Sequence, residues 1–203
     1  DYSRYKPSVL VKQLSEQDYA VLQELLYQFK GFYGELRTIR SYPYRSAAHV
    51  VGYIGEVSDN YIARNPFYRR GDYVGVTGLE KTYEEQLRGR RGTRYVTVDA
   101  LNREQGKFAG GTYDTLAKAG KNIAISIDVA LQMYGEQLMQ NKRGSIVAIE
   151  PKTGEILAFV SSPTFDPNLI SGRDRGVNFT MLNNDRVLAP LFNRPLMAQY
   201  PPG

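Results

Sequence analysis

Residues Gly144 to Ser161, GSIVAIEPKTGEILAFVS, carry two apolar runs around one turn. Ile146 to Ile149 and Ile156 to Val160 are apolar without alternation. A half-buried surface strand alternates, so such runs predict strands covered on both sides. Pro151 suits the second position of a tight turn, and Gly154 suits a left-handed position where a hairpin re-enters its strand. The pattern therefore predicts an antiparallel hairpin over 144–160. It would be the start of a larger sheet that expects helices on both faces.

Upstream, the spacing of apolar positions predicts helices. Ser15 is a good N-cap, with Glu16 and Asp18 in the first turn, and Tyr19, Leu22, Leu26 and Phe29 form one apolar face up to Gly31. Ser58 starts a short helical turn through Arg64, which Asn65-Pro66 ends. Thr77 and Glu80 have the spacing of a capping box, in front of a helix to Arg88 with Leu79, Tyr83 and Leu87 on one face. Arg37 to Arg40 could end a strand, and Tyr95 to Asp99 alternates like one. Asn102 to Gly106 reads as a turn. Ile123, Ile125 and Ile127 read as a short strand. Asp128 then caps a helix whose buried face is Leu131, Tyr134 and Leu138. Lys118 to Lys121 is a polar, Gly-containing join, and a boundary there divides the chain into 1–120 and 121–203. The whole reads as an α+β protein.

Composition narrows the chemistry. Cysteine is absent and His49 is the single histidine. Thiol catalysis and zinc–thiolate sites are excluded, and a His-rich metal site or a Ser-His-Asp triad very nearly so. No cofactor or metal site is predicted. His49 lies in an Ala-Ala-His-Val-Val run and reads as a satisfied packing residue. Glu80, Glu84 and Glu85 read as a solvated helix face. Net charge is +5, and Arg88, Arg90, Arg91 and Arg94 crowd one short stretch. Such a cluster suits an anionic partner but is more often a solvated loop. No nucleic-acid motif accompanies it. No apolar run approaches the roughly 20 residues that span a bilayer. Residue 1 reads as a cut point, with an anchor or leader expected upstream.

Five motifs then occur together: Tyr42-Pro43 with AHVVGYIG (Ala48 to Gly55), GVTGLEKTYEEQLRGRRG (Gly75 to Gly92), ISIDVALQ (Ile125 to Gln132), GSIVAIEPKTGEILAFVSSPTFDPN (Gly144 to Asn168) and NRPLMAQYPPG (Asn193 to Gly203). Each alone is weak. In this order and spacing the chain resembles the class B penicillin-binding proteins, the membrane-anchored peptidoglycan transpeptidases. GYIGEVS and Phe165 to Asn168 make it most similar to their elongation type, penicillin-binding protein 2. The division type is the alternative.

The resemblance implies a non-catalytic pedestal, or dimerisation, module followed by the first helix and hairpin of a transpeptidase domain. In that family Tyr-Pro-Pro-Gly is followed at once by the catalytic Ser-x-x-Lys, whose serine attacks a D-alanyl-D-alanine peptide while the lysine helps remove its proton. The nucleophilic serine is therefore expected immediately after Gly203, and no catalytic residue is assigned within the 203. Lys152-Thr153-Gly154 spells a later family motif, but it precedes the serine and sits in a turn, so it is read as turn chemistry. The implied partners are a SEDS-family glycan polymerase, rod-complex scaffold proteins and the peptide substrate, at the periplasmic face of the inner membrane. A stand-alone scaffold module is the reading from a different class.

Overall fold

Caps fix where the helices begin. In the computed structural model, which describes residues 8–34, 40–100 and 104–199, the elements run as follows. They are α1 (Glu16–Leu25), α2 (Ala48–Val51), β1 (Ile54–Glu56), α3 (Asp59–Arg64), β2 (Tyr73–Gly75), α4 (Gly78–Thr82), α5 (Glu84–Leu87), β3 (Val96–Val98), β4 (Glu104–Lys107), α6 (Val129–Leu138), β5 (Gly144–Ile149), β6 (Ile156–Ser162), α7 (Arg175–Asn184) and α8 (Arg194–Met197). Short 3-10 turns cover Leu26–Gln28, Phe108–Gly111 and Pro167–Ile170. Ser15 Oγ accepts from the Asp18 N–H, Ser58 Oγ from Tyr61, and Asp128 Oδ1 from Ala130 and Leu131. Each bond satisfies an orphan donor of a first turn. The mixture of helices and small antiparallel sheets is α+β, as expected.

The chain packs as two compact units, Asp1–Gly31 with Glu85–Ile123, and Phe32–Glu84 with Ala124–Gly203. In the first, β3 pairs antiparallel with β4 through a bulge after Thr97. Residues 104–107 are thus a strand rather than a turn, because they supply the ladder partners that β3 needs. The rest of the expected turn, like residues 37–39 of the expected Arg37–Arg40 strand, lies outside the described residues. α1 forms as expected, but its apolar stripe is not core: no residue of it is buried and Phe29 is exposed.

The second unit holds two apolar clusters. Ala48, Phe165 and Ile170 pack with Tyr53, Phe179, Leu182 and Leu191. Val57, Tyr68 and Val74 pack with Ile62 and Phe67 beside the β1–β2 pair. Gly52 has φ +82, and a Cβ there would lie 2.0 Å from the Thr77 carbonyl oxygen. Only glycine lets the α2 end meet the α4 start this closely.

The hairpin is antiparallel, β5 with β6, from Gly144↔Ser162 to Ile149↔Ile156 with one bulge. Gly154 takes φ +76 in its turn. α6 packs on one face. A Cβ on Gly135 would come within 2.9 Å of Val160 Cγ2, so the missing side chain sets the helix–strand distance. Val160 is 0% exposed. On the opposite face Val147 and Ile149 stay open, at 43% and 56% exposure. The expected cover is therefore present on one side and partial on the other.

Two further expectations are overturned here. The buried residues of α6 are Gln132 and Gly135, whereas Leu131, Tyr134 and Leu138 point outward. Residues 123–127 form no strand. The chain bends at Ser126, whose Oγ donates to the Ile156 carbonyl, and the Asp128 N–H donates to the Leu157 carbonyl.

Candidate functional site

Three polar side chains of the second unit bond backbone groups outside their own elements: Gln132 at Phe159, Asn168 at Tyr42, and Arg194 at residues 188–192. The first is Gln132, 1% exposed. Its Oε1 accepts from the Phe159 N–H at 2.7 Å, and its Nε2 donates to the Phe159 carbonyl at 3.1 Å and to Glu136 Oε1 at 2.9 Å. The amide thus takes the place of a neighbouring strand along the outer edge of β6. Glu136 Oε1 also accepts from the Ala47 N–H.

The second is Asn168. Its Oδ1 accepts from the Tyr42 N–H at 2.9 Å, and its Nδ2 donates to the Tyr42 carbonyl at 2.8 Å. Two of the sequence motifs, Tyr42-Pro43 and Phe165 to Asn168, meet in this pair. Tyr42 in turn donates its hydroxyl to Glu80 Oε1, and Arg40 Nε lies 3.0 Å from the same oxygen. Burial, then the Glu80 charge, pushes the Tyr42 phenol above its ordinary range.

These contacts correct the reading of the carboxylates. Glu80 is 5% exposed and faces inward. The Thr77 side chain makes no cap bond, and the helix breaks at Tyr83 into α4 and α5. A guanidinium outcompetes a neutral N–H for a carboxylate, so the capping box is not closed. Glu84 likewise accepts from the Tyr68 hydroxyl at 2.7 Å and the Gly75 N–H at 2.8 Å. Only Glu85 keeps the solvated place predicted for all three.

The third is Arg194, 2% exposed at the start of α8. Its Nη2 donates to the Leu188 carbonyl at 2.6 Å, and its Nη1 to Ala189 at 3.2 Å and Phe192 at 3.5 Å. The guanidinium also lies over the Phe192 ring. Its main-chain N–H donates to Ser161 Oγ at 3.2 Å, while that hydroxyl donates to the Phe192 carbonyl at 3.1 Å. Beside this loop His49 packs edge-on against Phe165, 5.5 Å between ring centres. Burial holds its imidazole at about 4, well below the ordinary 6.5. It packs as predicted, but it is not fully satisfied: Nε2 is buried without a partner, as are Ser46 Oγ and Asn193 Oδ1.

Lys152, Thr153 and Gly154 lie exposed in the hairpin turn, where the Thr153 hydroxyl bonds Glu155. The turn-chemistry reading fits them. In the first unit Arg94 pairs with Glu104, and Arg90 stands opposite Lys118 in an isolated antiparallel bridge. Among the described residues no group of His, Cys, Asp and Glu is placed to hold a metal. No helix of the described residues is long and apolar enough to cross a membrane. Tyr200 to Gly203 lie outside the described residues. Gln132, Ser161, Asn168 and Arg194 stood in the sequence only as parts of longer motifs, with no role of their own assigned. The available signal was a polar residue set among apolar neighbours, as Arg194 is between Phe192 and Leu196.

Residues 1–125 match the penicillin-binding protein dimerisation domain, and residues 144–203 match the penicillin-binding protein transpeptidase domain. The peptidoglycan D,D-transpeptidase MrdA of Acinetobacter baumannii is 36% identical over 94% of the chain and 28% of its own length. The protein of that name from Salmonella typhimurium is 33% identical over 98% of the chain and 32% of its own length. The chain thus spans about a third of the curated relatives it matches. The penicillin-binding protein PBP2 of Helicobacter pylori, solved in complex with MreC, superposes with a TM-score of 0.76 at 27% identity, over 96% of this chain and 37% of that one. The chain belongs to the penicillin-binding protein family, carrying its dimerisation module and the start of its transpeptidase domain.

Proposed function

We propose that these 203 residues are the pedestal and the leading part of the catalytic domain of an elongation-type peptidoglycan D,D-transpeptidase, with the boundary between them near residue 120. The observation that carries this reading is the anchored loop at Arg194. It holds the Asn193–Met197 stretch of NRPLMAQYPPG against the buried strand β6. In this reading the nucleophilic serine follows Gly203, its lysine lies three residues on, and nothing within the 203 residues forms an acyl-enzyme. The pedestal meets protein partners, a rod-complex scaffold protein and a SEDS-family glycan polymerase. The complex of the Helicobacter pylori relative with MreC supports the first of these. Exposed Tyr27, Phe29, Tyr95, Tyr113 and Leu116 supply the aromatic and apolar anchors that interfaces favour. The protein works on the periplasmic side, held by a membrane anchor.

The test uses fluorescent penicillin and mass spectrometry on two proteins. The full-length protein is expected to take one covalent label on the serine after Gly203, and the 203-residue chain none. A label on any serine among the 203 would place the active site elsewhere. Pull-down of the purified scaffold protein by the full-length protein checks the partner. Equal recovery after deletion of residues 1–120 would count against the pedestal as its docking surface.

A further inference from the structure

We propose that the basic ribbon of the first unit is a docking surface for an anionic membrane: residues 86–94 and 115–121 take phospholipid headgroups while Leu116 enters the interfacial region. Residues 85–123 hold eight basic and four acidic residues, so +4 of the chain's +5 sits in this stretch. The two facing segments carry Arg88, Arg90, Arg91, Arg94, Lys118 and Lys121 and no acid. Backbone pairing brings them together. Arg90 and Lys118 exchange N–H to carbonyl bonds at 2.9 Å in both directions, and Thr93 and Thr115 do so at 3.0 and 2.9 Å. A Cβ on Gly92 would lie 2.5 Å from the Thr115 carbonyl oxygen, and one on Gly120 2.0 Å from that of Leu87. Only bare backbone allows so close a passage, and it sets the cations of one segment against those of the other.

Directly opposed like charges destabilise a pair of strands. Arg90 and Lys118 are such a pair, both exposed, and neither has a carboxylate partner among the described residues. Two nearby acids are committed: Glu104 pairs with Arg94, and Asp114 accepts from the Tyr95 N–H at 2.8 Å. An external anion relieves the repulsion. The apolar residues point to its kind. Leu116, between the two backbone pairs, is 90% exposed, the most exposed large apolar side chain of the described residues. Exposed Tyr113, just before Thr115 in the chain, stands 5.7 Å from Phe108 between ring centres. An anionic bilayer takes up such a set together, with the cations at the phosphates and the apolar groups at the acyl boundary. A soluble polyanion uses the charge alone and leaves Leu116 in water.

The test measures binding of the 203-residue chain to sedimented vesicles, one set containing phosphatidylglycerol and one of phosphatidylcholine alone. Binding is expected to the first set only, and to fall as salt rises. Near such a surface each cation contributes about fivefold to affinity, so Arg90→Gln with Arg91→Gln and Lys118→Gln is expected to weaken binding about 100-fold. Lys152→Gln with Arg173→Gln and Arg186→Gln removes the same charge from exposed sites of the second unit and is expected to change binding less than about twofold. Leu116→Gln is expected to weaken it about tenfold with the charge intact. Equal weakening by the two triple variants would mean attraction by bulk charge and overturns the proposal, as does a failure to bind phosphatidylglycerol vesicles. Unchanged affinity in Leu116→Gln overturns it as well, and retention on immobilised polyglutamate would then assign the ribbon to an acidic polypeptide.

Discussion

Acidification is expected to remove stability through a single residue. His49 is the only histidine in the 203 residues. Burial holds its midpoint at about 4; a hydrogen bond with the Pro190 backbone opposes this, and the nearby Arg194 charge reinforces it. The folded chain keeps the ring neutral where the unfolded chain, with a midpoint of about 6.5, protonates it. Protonation therefore favours the unfolded state. The contribution is fully present above about pH 6.5 and is lost as pH falls from there to about 4. The whole span is worth about 3 kcal/mol, of which about 2 kcal/mol is gone by about pH 5. Because there is one histidine, its ring proton resonances need no assignment, and an NMR titration reads the midpoint directly. Urea unfolding of wild type and His49→Gln at about pH 7 and pH 5 gives the energy, since other titrating groups cancel in the difference. A midpoint near 6.5, or the same loss of stability in both proteins, would refute the reasoning.

Three other outcomes follow from the same structure. Gln132→Leu strands the Phe159 N–H and carbonyl at a buried strand edge, so urea unfolding is expected to show a loss of about 2–4 kcal/mol; a loss below about 1 kcal/mol would mean the edge is wet. Arg40→Met leaves Glu80 buried with the Tyr42 hydroxyl as its remaining partner from this pair of contacts. Allowing for the partial exposure of Arg40, the cost is about 1–3 kcal/mol, and Arg40→Met with Glu80→Gln recovers part of it; no recovery in the double variant would sink the idea. Finally, β5 has no second neighbour among the described strands, and its own Val147 and Ile149 are exposed. The 203-residue chain is expected to self-associate with rising concentration, and Val147→Lys with Ile149→Lys to suppress this without lowering the melting temperature. Sedimentation that shows a monomer throughout would overturn the edge argument.

What the sequence made legible was chemistry confined to a few neighbouring residues. A serine or aspartate cap acts within three positions, and so Ser15, Ser58 and Asp128 could be read directly. Gly154 in the hairpin turn is the same kind of case. The capping box at Thr77 failed for the opposite reason: the Glu80 carboxylate had a stronger partner forty residues away in Arg40. No local pattern contains that information.

The face of α6 shows why periodicity can select the wrong side. Counting apolar residues favours Leu131, Tyr134 and Leu138, yet the buried side is Gln132 and Gly135. Two demands of β6 decide it. Its outer edge carries a backbone donor and acceptor at Phe159 that must be paired once buried, and an amide satisfies both where a leucine satisfies neither. Its apolar face, at Val160, leaves room for a helix only where that helix lacks a side chain. The same demand recurs at Tyr42 and at residues 188–192, where Asn168 and Arg194 answer it. In each case irregular or edge backbone lacks a strand partner, and one side chain with paired or forked polar atoms takes that partner's place. The order in which the chain is packed is therefore set by where backbone groups lack partners, and the polar residues that meet them are the ones a reading by hydrophobicity passes over.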